Sequence, residues 1–172
     1  MAADPHAATR RYGYVLGGIS IVAVLAVCTL YFNGALQDRQ DPNRNLVVAP
    51  GARELVLLRN RAGHYIVPGE INGRPVRFLL DTGATLVSVP AKLGGALGLQ
   101  AGPRGAALTA NGPVEVRATR IDTLTLGPFR LSNVSAHLNP GMVGEDILLG
   151  MSALRHLEFT QRGDRLTLRV AE

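Results

Sequence analysis

The chain has no tryptophan, one lysine (Lys92) and one cysteine (Cys28) among its 172 residues. A single cysteine excludes an intrachain disulfide, and its place in the most apolar stretch gives no signal about redox compartment. Aromatic residues are also scarce, and no Lys/Arg cluster alternates with them. The formal charge of +5, carried almost wholly by scattered arginines, therefore reads as a solvated basic face. No nucleic-acid partner is expected. The four histidines, His6, His64, His137 and His156, are far apart and lack metal-ligand spacing. Ser88 and Ser152 have no Gly-x-Ser-x-Gly context. Neither a metal, a cofactor nor a serine nucleophile is expected. There is no βαβ rhythm and no internal repeat.

What the chain does have is one long uncharged run. Residues 14–32, YVLGGISIVAVLAVCTLYF, approach the length a helix needs to cross a bilayer. Tyr12, Tyr14, Tyr31 and Phe32 stand at its ends, as interfacial aromatics do. A cleaved signal peptide would have a shorter apolar region and an A-x-A-like site, whereas Asn33-Gly34-Ala35 has Asn where a small residue is wanted. The reading is a tail (1–13), a single transmembrane helix in contact with lipid (14–32) and a polar, turn-rich linker (33–53). Arg10 and Arg11 favour a cytoplasmic N-terminus, although Arg39 and Arg44 dilute the bias.

Residues 54–172 read as short strands. Leu55–Leu58 is an apolar run. His64–Ile71 and Arg74–Leu80 flank Asn72-Gly73, a strong hairpin signal. Val87–Val89, Val114–Ala118, Leu124–Leu126 and Leu166–Val170 suggest further strands. Lys92–Leu99 reads as a short helix or turn, and Ser152–Leu157 as a short helix. The fold class is all-β, of the barrel or sandwich kind.

Within this domain the segment FLLDTGATLVSVP (Phe78–Pro90) places an aspartate between two strand-like runs. Burying a carboxylate costs several kcal/mol unless it is hydrogen-bonded or paired. Gly83 offers a tight turn with positive φ. Backbone N–H groups and the Thr85 hydroxyl are then placed to bind the Asp81 carboxylate. Glu145-Asp146 reads as a cap for a later turn.

LLDTGAT resembles the active-site motif of aspartic proteases, and Ala84 after Asp-Thr-Gly points to the retropepsin-like branch. ILLGMSALRHL (Ile147–Leu157) is similar to the apolar-apolar-Gly and short-helix element of that fold. The two elements together are far more specific than either alone, and the resemblance spans roughly Leu55 to Val170. It implies an acid-protease barrel with one short C-terminal helix. Asp81 is then catalytic, with Thr82, Gly83, Ala84 and Thr85 supporting it. Leu148, Leu149 and Gly150 lie behind the site. A flap hairpin falls around Thr109–Val114, with Ala110, Asn111 and Gly112 at its end. Pro113 disfavours a tight type I′ turn there and suggests a longer tip.

Such proteases need two carboxylates on one water, and this chain has one Asp-Thr-Gly; Asp122 and Asp146 do not repeat it. The resemblance therefore implies a homodimer, with the two Asp81 residues face to face and Thr82 gripping across the axis. Some retroviral members pair an acid after DTGA with an arginine after the C-terminal Gly; here those positions are Thr85 and Met151. An interface sheet built from chain termini would use Arg165–Val170. The anchor and linker resemble bacterial single-pass members whose protease domain faces the periplasm. The expected activity is endopeptidase cleavage of a protein or peptide. The alternatives are a catalytically silent, peptide-binding dimer of the same fold, and a tethered β-domain with a coincidental Asp-Thr-Gly turn.

Overall fold

Asn72 and Gly73 both have positive φ, 51° and 75°, which is the type I′ geometry whose twist matches paired strands. They join β2 (Ile66–Ile71) to β3 (Arg74–Leu80) with Ile71 opposite Arg74. The Asn72 side chain also donates to the Leu97 carbonyl and accepts from the Thr123 N–H. One turn residue thus ties three parts of the chain together.

A computed structural model describes residues 18, 20–32, 40–49, 51–109 and 112–170. It divides into two units, Met1–Arg39 and Gln40–Glu172. In the first, residues 20–32 are helical (α1), with Cys28 and the large apolar side chains from Ile21 to Phe32 exposed. Among the described residues no helix is long and apolar enough to cross a membrane. The expected span also takes in residues 14–17 and 19, which lie outside the described residues.

The second unit is all-β apart from a 3₁₀ turn (Ala91–Leu93) and a short helix, α2 (Met151–Leu154). The remaining strands are β1 (Glu54–Leu58), β4 (Val87–Pro90), β5 (Arg104–Thr109), β6 (Gly112–Leu126), β7 (Phe129–Asn139), β8 (Ile147–Leu149), β9 (Leu157–Arg162) and β10 (Arg165–Val170). Seven form a sheet in the order β2-β3-β8-β4-β7-β6-β5. The C-terminal end of β6 also pairs with β2, so the sheet closes on itself as a barrel and only β5 projects from it. Closure removes the exposed edges that an open sheet would carry. Inside lie Val67, Phe78, Val87, Val89, Ile121, Leu124, Ile147, Leu149 and Leu154, all essentially inaccessible to solvent.

Three strands stand apart in the order β1-β10-β9. Their inner face, with Leu55, Leu57, Leu166 and Leu168, packs into the same core. β10 was the strand expected to pair with a second copy. Both its edges are occupied within the chain, by β1 and β9, so it has no free edge for a partner strand.

The folded unit begins before residue 54. Polar, turn-rich composition marked 33–53 as linker, yet Asn43 is buried and works as a one-residue strand against β1. It accepts from the Leu58 N–H (2.8 Å) and donates to the Leu58 and Ile66 carbonyls (2.9 and 2.8 Å). Leu46 and Val48 pack on the core. Asp41 is also buried, which pushes its carboxyl above the ordinary carboxylate range; Arg77, 3.9 Å away, opposes that shift.

Removing the Asn43 amide leaves three backbone groups without partners, each worth about 1 kcal/mol or more when buried. Asn43→Ala is expected to lower unfolding stability by about 3 kcal/mol, read by denaturant titration. A loss under about 0.5 kcal/mol would show that residues 41–48 do not hold the domain.

Candidate active site

β3 ends at Leu80, and Asp81 begins the turn that leads to β4. Three backbone contacts fix this loop against the other end of the domain sequence. The Asp81 N–H donates to Leu149 (3.2 Å), continuing the parallel pairing of β3 with β8, in which Leu80 faces Leu149. The Met151 N–H donates to Ala84 (2.8 Å) and the Ser152 N–H to Thr85 (2.9 Å). The first N–H groups of α2, which have no partner inside the helix, are thereby satisfied by the carbonyls of the Asp81 loop. Gly150 makes this approach possible. A Cβ at that position would collide with the carbonyl oxygens of both Leu86 and Ala84.

The Asp81 carboxylate is half-buried, and its Oδ1 accepts from the Gly83 N–H at 2.9 Å. Its other oxygen has no partner among the described residues. Two details differ from the sequence reading. Gly83 does not have positive φ; what favours glycine is proximity, since a Cβ there would lie 3.2 Å from Asp81 Oδ1. The Thr85 hydroxyl does not bind the carboxylate; Thr85 is exposed and contributes its backbone carbonyl to α2 instead. Thr82 is exposed and Ala84 half-buried. Leu148 and Leu149, in β8, set the register against Leu79 and Leu80.

Of the other acids, Asp146 is taken up by Arg77, whose Nε and Nη2 lie 2.8 and 2.6 Å from its Oδ1. That side-chain pair replaces the turn cap expected of it. Asp122 lies in β6, whose neighbour Thr123 is bound by Asn72.

The expected flap is the β5–β6 hairpin. Pairing continues to Thr109 opposite Gly112, and the Thr109 hydroxyl donates to the Gly112 carbonyl at 2.7 Å. The expected tip falls on Ala110 and Asn111, which lie outside the described residues. Gly112 has φ of 104°. Pro113 stands opposite Leu108, a position one step from the loop-flanking pair. In an antiparallel ladder that position directs its nitrogen away from β5, so the missing N–H costs no pairing.

Two serines have roles that their sequence context did not reveal. Ser152 is buried; its Oγ accepts from the Val87 N–H (3.0 Å) and donates to the Ser135 carbonyl (2.7 Å), linking α2, β4 and β7. The signal available was a serine directly after Gly-Met at a helix start. Ser88 is also buried, with Oγ 2.8 Å from His137 Nε2 and 3.1 Å from Met142 Sδ. Each group has a partner when His137 Nε2–H donates to Ser88 and Ser88 donates to Met142. Ser88 and His137 are 49 residues apart in sequence and meet because β4 and β7 run parallel with these residues in register. With no third orienting group among the described residues, and with Ser88 shut off from solvent, the pair is a satisfied contact rather than a nucleophile. Among the described residues no group of three or more His, Cys, Asp or Glu could hold a metal.

Comparison with known proteins adds three findings. A family model described as "gag-polyprotein putative aspartyl protease" matches residues 67–156, just over half of the chain. A Sinorhizobium sp. protein, described as an uncharacterized protein in the cobV 5′ region, is 28% identical over 176 residues, covering 93% of this chain and 76% of its own length. The crystal structure of a retropepsin-like aspartic protease from Rickettsia conorii matches with a TM-score of 0.58 and 28% identity, over 68% of this chain and 90% of that one.

Two expectations follow from the site's supports. Gly150→Ala should cost about 3 kcal/mol, because the added Cβ meets two backbone carbonyls and the Ala84 carbonyl cannot retreat without breaking its bond from the Met151 N–H; an unchanged denaturation midpoint would contradict the packing described. Burial holds the His137 imidazole below its ordinary pKa of 6.5. The unfolded chain therefore binds a proton before the folded one does. Stability from this site is complete above about 6.5 and falls as pH drops toward the lowered value. In thermal melts between about pH 7 and 5, His137→Gln should flatten that fall. An identical slope in both proteins would contradict it.

Proposed function

The chain belongs to the gag-polyprotein aspartyl protease family, the retropepsin-like aspartic proteases, and from that premise we propose that it is a membrane-anchored endopeptidase in which Asp81 of two copies activates one water. The observation that carries the proposal is the carboxylate itself. It is presented from a loop held by backbone bonds, one oxygen fixed by the Gly83 N–H and the other without a partner among the described residues. A fixed oxygen and a free one suit a group that must bind water or share a proton with its equal.

A single chain supplies one such carboxylate. In a two-fold dimer the same loop supplies the second. Two carboxylates at close range cannot both ionise easily, so they hold one proton between them and titrate as a pair. The ionised member takes a proton from water while the protonated member hydrogen-bonds the scissile carbonyl. Exposed Thr82 is available to contact its counterpart across the axis. Gly83 and Ala84, with little or no side chain, line the floor of the site and leave room for an extended peptide backbone. The β5–β6 hairpin is the element to close over it and exclude water.

Anchoring rests on the uncharged run at 14–32 and on the exposed apolar side chains of α1. Arg10 and Arg11 favour a cytoplasmic N-terminus, and with it a protease unit on the outer, periplasmic side of the inner membrane. Tethering two copies to one bilayer raises their effective concentration and favours the dimer.

The test is cleavage of a diverse peptide mixture by the full-length chain in detergent, from about pH 4 to pH 7, read by mass spectrometry. Asp81→Asn keeps an oxygen for the Gly83 N–H but cannot act as base. It should lower the cleavage rate by about 10³-fold or more. Equal cutting by both proteins would overturn the proposal. No cutting by either, with a stable dimer, would favour a peptide-binding module of the same fold.

A further inference from the structure

Four arginines that stand apart in the sequence meet in the fold. β1 ends at Leu58 opposite Arg165, and Arg162 stands opposite Arg165 across the turn at Gly163-Asp164. The loop after β1 joins the same end. The Arg59 N–H donates to the Asp164 carbonyl (2.8 Å), and the Arg59 guanidinium lies 2.6 Å from the Asp164 carboxylate. Hydrogen bonds between Asn60 and residues 62–64 close that loop around Arg61. Arg59, Arg61, Arg162 and Arg165 thus crowd one end of the three-stranded sheet, all exposed. At the other end Arg169 is offset by Glu54, at 2.8 Å, and stands opposite Glu158.

Of the four, Arg61, Arg162 and Arg165 have no ion-pair partner among the described residues. Arg162 and Arg165 are like charges directly opposite each other on the outer face of the sheet, a pairing that repels until an anion lies between them. With Thr160 and Thr167 they line a groove of about 270 Å³, which Glu158 and Arg169 close at its far end. Two guanidinium forks and two hydroxyls offer the donors that phosphate oxygens accept.

The course of the chain identifies which phosphate arrives there. The Gln40 carbonyl accepts from the Asn60 side chain at 3.1 Å, so the chain enters the folded unit at its arginine end. Asp41 follows, but it is buried and faces Arg77, so it does not cancel the exposed charge. In sequence only residues 33–39 separate Gln40 from α1. A stretch of that length spans at most about 28 Å. On the anchoring reading above, this short connection keeps the arginine end beside the bilayer. Arginines so held are attracted to an anionic lipid surface once they come within a Debye length of it.

We propose that this end of the sheet docks on anionic phospholipid headgroups of the bilayer that holds the anchor. A headgroup phosphate sits between Arg162 and Arg165, and Arg61 meets the surface beside it. Arg59, taken up by Asp164, holds the loop in place. The proposal rests on the anchoring reading and names the face and the lipid class that it leaves open. Docking gives the tethered unit one orientation: the arginine end faces the lipid, and the end that carries His156 and Leu157 points away from it.

The test uses the full-length chain in lipid nanodiscs. In a Cys28→Ser background, a fluorophore is placed at Ala62→Cys, in the arginine loop, or at His156→Cys, at the far end of the sheet; both positions are exposed. Energy transfer to a headgroup-labelled lipid reads how near each comes to the bilayer. At about 0.15 M salt, phosphatidylglycerol discs should raise transfer from residue 62, but not from residue 156, above that in phosphatidylcholine discs. Arg61→Gln, Arg162→Gln and Arg165→Gln should each lower the docked-to-free ratio about fivefold, and about 0.5 M salt should lower it in the unsubstituted arginine background too. Transfer from residue 62 that ignores lipid charge, in a chain retained by the discs, would overturn the docking and leave the anchor standing; the arginines would then suit an acidic protein segment. A chain that alkaline carbonate releases from vesicles of both lipids would overturn the anchor and the docking with it.

Discussion

The close approach of Gly150 to the Ala84 and Leu86 carbonyls is the contact on which the rest depends. It lets α2 begin where the Asp81 loop ends, so that orphan helix N–H groups and loop carbonyls satisfy each other. The parallel pairing of β3 with β8, the burial of β4 and the position of Asp81 all follow from that one absence of a side chain. Ser152 extends the lock to β7. A loop held this way uses only one carboxylate oxygen, Oδ1 of Asp81, for its own shape. That leaves one carboxylate oxygen available for chemistry, in keeping with sites that are built first and used second.

Polar side chains elsewhere each close an opening in the β-structure. Asn43 finishes the edge of β1, Asn72 binds a turn to β6, and Ser88 with His137 bridges two parallel strands. Arg77 gathers Asp146 and lies beside Asp41. The outer edges of β5 and β9 have no such closure among the described residues.

Much of this was legible in the sequence, for physical reasons. Asn72-Gly73 needs two positive φ angles, and few residue pairs provide them. DTGA followed by ILLG marked both halves of the lock, although not the reason for each glycine. Other features were hidden. β7 carries Ser132, Asn133, Ser135 and His137, and Asn133 takes φ of 59°, so its alternation of apolar residues is diluted. β9 has only Leu157 buried and reads as polar surface. Residues 40–53 look like linker because composition cannot distinguish an asparagine facing water from one that completes a strand. The pairing of Ser88 with His137 depends on the parallel alignment of β4 and β7, which local pattern does not encode.

The central claim is that one active site needs Asp81 from two chains. It is tested most directly by co-expressing wild-type and Asp81→Asn chains at varied ratios and measuring peptide cleavage per total protein. If both carboxylates are required, mixed dimers are inactive and the rate falls as the square of the wild-type fraction. A rate that falls in direct proportion to that fraction would mean each chain works alone, and would contradict the account.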